Sequence, residues 1–477
     1  MENGLQKKYG LFTAICMVVG IVIGSGVFFK AQNILQTTSG NMVIGVWAWI
    51  IGGVIMLCCI TAFAVLATKY EKVNGLVDYG EATVGPKYGY ALAWFSTFIY
   101  FPSMTGVLAW VSARYTMVFI TSAFPGVQLI IPADQGGCVV GPECMILALL
   151  LLCGAYALNA LSPKLAGHFQ VSTTVIKMIP LFLMAVVGII VGLSADGGLL
   201  IENFNYASTG VGQGSLFSAV VATAFAYEGW IIATSINAEI KDAKKNLPIA
   251  LLLGGVIIVV TYVAYYIGVS GGATVESLMN DGATVAFTNI FGNKLGLVLN
   301  LFIAISCMGT LNGLMVGSTR AMYAMAARKE GPRAEVFGQI DPYTNMPSNS
   351  AIIGLLMSAV WLVYFYGANL GAFQWFGLFS FDSSELPIVT VYGFYVPIFI
   401  NFMRKATDLP PVKRFVIPTL GLIASIAMVG AAIYAHGIRP YQAAAANGTF
   451  SCPVLFYLIV FAVVMVIGFA VNKGKKN

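Results

Sequence analysis

The chain has 477 residues, of which 58% are hydrophobic and only 9% charged, against about 25% charge in an ordinary soluble domain. With a mean hydropathy of +0.85 and apolar runs of about twenty residues recurring from Leu11 to Val471, it reads as an integral membrane protein and not as a string of soluble domains. Two His and 8 Cys argue against metal catalysis and a disulfide scaffold, no HExxH, paired CxxC, GxxxxGK[ST] or GxSxG occurs, and the net charge of +6 sits in short loops, where it reports orientation instead of a nucleic-acid partner.

Residues 1–10 are short and polar, and the first apolar run has no small-residue cleavage site, so it reads as a retained span and not a signal peptide. Spans are expected near 11–36, 42–68, 89–120, 145–162, 170–194, 214–236, 248–268, 295–326, 350–367, 380–403, 415–435 and 453–472. Twelve crossings of about 20 residues take roughly 240 residues, which the length accommodates. With the amino terminus inside, 19 of the 25 cations fall in inner segments, among them Lys7, Lys8, Lys69, Lys72, Lys87, Lys164, Lys241, Lys244, Lys245, Arg328, Arg404, Lys413, Lys473, Lys475 and Lys476. That split expects an even number of spans with both termini cytoplasmic.

The first span is interrupted by Gly20, Gly24 and Gly26, with Ser25 between the last two. Two readings stand: Gly24-Ser25-Gly26 unwinds and offers amides to an anion, or the small residues serve close helix packing. Cys138 and Cys144, in the outer segment 121–144, are either paired or two free thiols. In the fifth span Lys177 lies several residues from the inner end. It either snorkels, pairs with Glu228, or donates to carbonyls freed in the first span near Gly20 and Ile21 and to Ser306 of the eighth. Phe225-Ala226-Tyr227-Glu228-Gly229-Trp230 places a carboxylate and a glycine about a dozen residues into the sixth span. Such a charge needs a cavity or a partner, so this span is expected to break as well.

Breaks in spans one and six, five spans apart, fit an inverted repeat with a ligand held between them. The expected units are 1–194, 214–403 and, as two additional helices, 415–472. Arg114 and Arg320 read as interfacial anchors near span ends. Asp382 and Glu385 lie in the loop before span ten or line an outer vestibule, and Asn447-Gly448-Thr449 is an outer sequon of little weight.

Several of these elements are familiar. Gly24-Ser25-Gly26-Val27-Phe28 resembles the Gly-Ser-Gly-Ile/Val-Phe element of the amino acid–polyamine–organocation superfamily, and Phe225 to Trp230 is similar to its Phe-Ala-Tyr-Asp/Glu-Gly-Trp. Glu239 to Pro248, Asn312-Gly313, Arg320 and Ala326 to Gly331 add to the likeness, which points to the L-amino-acid-transporter type and, within it, to bacterial serine/threonine and alanine/serine/cysteine exchangers. Asn246 and Ala243 loosen the family's Asn-Pro pattern in the sixth–seventh loop, and the polar stretch Asp382 to Glu385 is outside the motifs that carry the resemblance.

The resemblance implies the all-α leucine-transporter fold, twelve transmembrane helices with a 5+5 inverted repeat and discontinuous helices 1 and 6. It implies an amino acid bound by Ile23, Gly24, Ser25, Gly26, Phe225, Ala226 and Glu228, its carboxylate on the amides of Ser25 and Gly26 and its ammonium near carbonyls of Phe225 and Glu228. Phe225 would gate the site, and Lys177 would stand where sodium-coupled relatives hold a sodium ion, with Gly20, Tyr262 and Ser306 around it. The expected function is sodium-independent exchange of neutral L-amino acids at the cell membrane. The alternatives are proton-coupled symport with Lys177 titrating, or cationic amino acid and amine antiport with Glu228 or Glu385 facing the substrate's charge. A channel would need a polar stripe along several helices, and an enzyme a reactive cluster that His168 and His436, on opposite faces, do not provide. No enzymatic activity, cofactor or metal is expected, and bacterial-type relatives act without an accessory subunit.

Overall fold

Proline opens many of the helices: Pro86, Pro142, Pro163, Pro387 and Pro453 each occupy a first-turn position, where the missing N–H deprives the helix of nothing. Asn41 caps another start, its Oδ1 accepting from the Ile44 amide at 3.0 Å. The computed structural model describes residues 5–71, 74–194, 198–206, 216–370 and 375–472. Lys72, Lys473, Lys475 and Lys476 lie outside the described residues, as does most of the expected outer segment 195–213.

The helices of the crossings are, in order, α1 (Leu11–Val22), α2 (Gly26–Thr37), α3 (Met42–Lys69), α4 (Pro86–Ala123), α5 (Gly137–Leu161) and α6 (Pro163–Ser194). Next come α7 (Leu216–Tyr227), followed by a 3₁₀ segment Trp230–Glu239, then α8 (Ala243–Ser270) and α9 (Asn293–Ala326). The last four are α10 (Ser348–Leu370), α11 (Leu386–Lys405), α12 (Val412–Ala446) and α13 (Pro453–Val471). Among the described residues eleven helices are long and apolar enough to cross a membrane, counting α7 with its 3₁₀ segment as one, and α1 with α2, bent by 43°, makes a twelfth crossing.

The crossing limits are close to those expected, with one large difference. The eleventh runs on through a wide turn at Tyr434–Ile438 to Ala446, so most of the segment 436–452 that reads as a loop is helix. Polar residues there coil around an end that the apolar count stops short of.

Small and apolar faces place α1 at the centre of the bundle, packed on α6, α8, α9 and the 3₁₀ segment. The strongest helix pairs around it are α4 with α9 and α3 with α8. At the other extreme α13 is peripheral, with 17% of its apolar window buried against 94% for α4. Both ends of the described chain lie on one face: Lys8 and Tyr9 bond to the Glu239 carbonyl at 2.7 and 3.0 Å, Tyr9 hydroxyl donates to the Pro163 carbonyl, and the Gly331 amide donates to Asn472 Oδ1.

Candidate functional site

The first break spans Ile23 to Ser25, and Gly26 already belongs to α2. This is one residue earlier than the glycines suggest, for two reasons. A Cβ on Gly26 would stand 2.8 Å from Ala226 Cα, so Gly26 is needed for close packing of α2 on α7, and the Ile23 carbonyl is drawn aside by Lys177. Ser25 caps α2 without a side-chain bond, which leaves the first amides of α2 as free donors with the positive end of a helix dipole behind them.

Lys177 is fully buried. Its Nζ donates to the carbonyls of Gly20 at 2.8 Å, Ile23 at 2.5 Å and Ser306 at 3.0 Å, and approaches Thr310 Oγ1 at 3.3 Å. The second freed carbonyl is thus Ile23 and not Ile21. The Ser306 hydroxyl reaches the Ile23 and Gly24 carbonyls at 3.4 and 3.3 Å, and Thr310 hydroxyl sits 3.1 Å from both Gly20 and Ile23 oxygens. Lys177 neither snorkels nor pairs with Glu228: no ion pair joins them among the described residues.

The sixth crossing breaks at Glu228 and Gly229. Gly229 has φ +104°, a left-handed value that glycine takes without cost, and α7 ends one residue before Glu228. Tyr262 ties the two breaks, its hydroxyl lying 3.1 Å from the Val22 carbonyl and 2.9 Å from that of Ala226. The Glu228 carboxyl is 3% exposed. Its Oε1 accepts from the Tyr100 hydroxyl and the Gly229 amide lies toward the carboxyl, while Oε2 makes no hydrogen bond of normal geometry among the described residues.

Two cavities meet at these breaks. A small one of about 20 Å³, lined by Gly24, Ser25, Gly26, Phe225, Glu228 and Thr310 among others, has room for about one water molecule. A larger one of about 280 Å³ lies beyond it, lined by Ser25, Lys30, Trp110, Arg114, Phe225, Asn369 and Asp382 among others. Ser25 and Phe225 border both, so the Phe225 ring stands between them. Lys30 Nζ lies 5.4 Å from the centre of that ring and pairs with Glu385, whose other oxygen meets His436 Nε2 at 2.9 Å. Asp382 and Glu385 therefore precede α11; Asp382 borders the vestibule, while Glu385 reaches it only through its pair with Lys30. Arg114 lies over Trp110 and Tyr115, 5.6 and 5.7 Å from their ring centres, and lines this cavity, so it is no simple lipid-interface anchor. Tyr100 and Thr310 give no signal in the sequence, and Lys30 shows only as a cation in the first expected span, because nothing there says which helices face one another.

The opposite face is closed. Arg320, which reads as an anchor, is 1% exposed and pairs through Nε and Nη2 with the buried Glu239. A guanidinium this deep is held by a carboxylate and not by the interface. Lys8 Nζ approaches the same carboxylate at 3.5 Å, and burial pushes this ammonium below its usual range despite the pull of Glu239. Cys138 and Cys144 are both buried free thiols.

A sequence profile described as Amino acid permease matches residues 9–476. The chain is 28% identical over 409 residues to the Serine/threonine exchanger SteT of Bacillus subtilis (strain 168), covering 85% of each chain. It is 26% identical over 450 residues to the b(0,+)-type amino acid transporter 1 of Mus musculus, covering 92% of this chain and 85% of that one. Against the Cystine/glutamate transporter of Homo sapiens the figure is 24% over 357 residues, 73% of this chain and 66% of that one.

Proposed function

The chain belongs to the amino acid permease family, a family of secondary amino acid transporters, and we propose that it works as a sodium-independent, obligate exchanger of neutral L-amino acids. The observation that carries this reading is Lys177, whose ammonium fills the space between the first break and α9 with bonds to Gly20, Ile23 and Ser306 carbonyls. A fixed positive charge there serves in place of a sodium ion. The substrate lies between the breaks, its carboxylate on the free amides of Ser25 and Gly26. The Ile23, Gly24 and Ala226 carbonyls already accept bonds, which leaves those of Phe225 and Glu228 for the ammonium. Phe225 closes the site toward the vestibule. A similar relative is named a serine/threonine exchanger, and small hydroxylated amino acids are the first substrates to try.

On this reading spans 1–5 and 6–10 form an inverted repeat that rocks about the site, the cation-rich face with both chain ends is cytoplasmic, the membrane is the cell membrane, and the chain acts as a transporter without enzymatic activity, cofactor or accessory subunit. The test is counterflow in liposomes of the purified chain, with each unlabelled amino acid inside in turn. Uptake is expected only when an internal neutral amino acid is supplied and at equal rates in sodium and choline buffers. A sodium requirement overturns the role given to Lys177, and strong inhibition by arginine or agmatine favours the antiport of cations.

A further inference from the structure

The Glu228 carboxyl is the one element of the small cavity whose charge nothing nearby balances. Oε1 takes the Tyr100 hydroxyl, Oε2 is buried without a partner, and the side chain borders the space into which Ser25 and Gly26 also face. Among the described residues no Lys, Arg or His lies within ion-pair distance of it. Lys177 meets Thr310, which also lines this cavity, but its donors end on the carbonyls of Gly20, Ile23 and Ser306 and on the Thr310 hydroxyl.

The ionisable groups that face Glu228 are Tyr100 from α4, Cys59 from α3, and Tyr392 and Tyr395 from α11. All of these are neutral in their ordinary form, and Tyr395 hydroxyl also lacks a partner. The cavity walls given by α1, α2 and α9 carry no ionisable group. An isolated carboxylate at this depth is strongly disfavoured, whereas the neutral acid places its own hydrogen on the oxygen that has no donor.

We propose that amino acid binding is proton-linked through Glu228: the empty transporter holds a hydrogen on this carboxyl, and the α-ammonium of the arriving substrate displaces it. The O–H bond of the acid breaks, the carboxylate forms a charge-assisted bond with the ammonium, and the proton passes to solvent. The inference rests on the reading that a neutral amino acid binds between the breaks, and it goes beyond that reading in assigning the carboxylate, and not only backbone carbonyls, to the ammonium. It also gives the small volume a purpose. With the hydrogen in place, Glu228 needs no counter-charge and the two breaks close onto the carboxyl.

The sign of the pH dependence follows. Binding that expels one proton strengthens as pH rises, about tenfold in Kd per pH unit while the free carboxyl remains protonated, and levels off once it is ionised. The experiment is calorimetric titration of the purified protein with L-serine and L-threonine from acid to alkaline pH, in two buffers of different ionisation heat, for wild type and Glu228→Gln. Wild type is expected to release one proton and to show the rising affinity. Glu228→Gln, with an amide that carries no exchangeable charge, is expected to bind more weakly at high pH, with an affinity independent of pH and of buffer. A flat wild-type profile, or an identical slope in the variant, overturns the proposal.

Infrared difference spectra keep it testable whatever the substrate. The free wild-type protein is expected to show a protonated-carboxyl band that Glu228→Gln lacks, and absence of that band also overturns it. Failure of every neutral amino acid to bind, with the band present, refutes the substrate reading and removes the displacement step, while a flat profile with normal binding refutes the proton linkage alone.

Discussion

At the level of single residues, the ionisable side chains in the bundle divide by what compensates them. Lys177 is held by carbonyls of two crossings, so Lys177→Ala leaves oxygens at Gly20, Ile23 and Ser306 less satisfied and shifts the balance between conformations by about 1–3 kcal/mol. The exchange rate in liposomes is expected to fall roughly 5- to 150-fold with a smaller change in substrate affinity, because the ammonium bonds the backbone at the first break and, on the proposed reading, does not touch the amino acid. Unchanged turnover would remove its functional role. Arg320→Ala leaves the buried Glu239 carboxylate with only the distant Lys8 ammonium, at 3.5 Å, and is expected to cost about 3–5 kcal/mol of stability, read as loss of monodispersity on heating in detergent. Glu239→Met combined with Arg320→Met should recover part of it, since the buried Arg320–Glu239 pair is then gone whole, with Lys8 alone losing its carboxylate. Depth in an apolar run is what makes Lys177 and Glu228 legible in the sequence. Arg320 is misread for the same reason, because six residues from the end of α9 look like reach to the interface until the packing of the 3₁₀ segment against it is known.

Among the elements, the two broken crossings carry the most information per residue. Their positions are legible because glycine clusters and a buried carboxylate are expensive in a membrane helix unless something uses them. Their edges are not, since whether a glycine unwinds or packs depends on the neighbouring helix. Gly26 shows this: an alanine there meets Ala226 Cα at 2.8 Å, and Gly26→Ala is expected to lower stability by about 1–3 kcal/mol through overpacking as well as to impair transport. A melting curve beside the transport assay separates the two, and an unchanged melt would mean that α2 moves aside freely. Gly229→Ala adds a side chain at φ +104° with Ile21 Cγ2 at 2.9 Å, and a cost of about 1–3 kcal/mol is expected from the backbone alone.

Across the whole molecule, the twelve crossings are legible because twenty apolar residues in a row have one use, and the loop cations follow from charge asymmetry. The arrangement of faces is not, because it depends on which helices meet. One face has a 280 Å³ vestibule over Phe225 and the other is shut by Arg320, Glu239 and Lys8, the asymmetry of a carrier open to one side. Asn369 lines the vestibule. Asn369→Cys is therefore expected to react with a membrane-impermeant thiol reagent added outside, well above the unsubstituted protein, and to be shielded by substrate. Labelling only from the inside would reverse the assignment of faces.

Tyr262 has two acceptors and one hydrogen. Its oxygen sits within bonding distance of both Val22 and Ala226 carbonyls, yet a phenol donates once, so at any instant one of these contacts is empty. Parting the two breaks then forfeits a single donation and not two, and the hydroxyl can turn to whichever strand of backbone stays beside it. Of the contacts across the seam, this one is a bond that belongs to neither side, and its share of the cost of parting them is one donation whichever break moves.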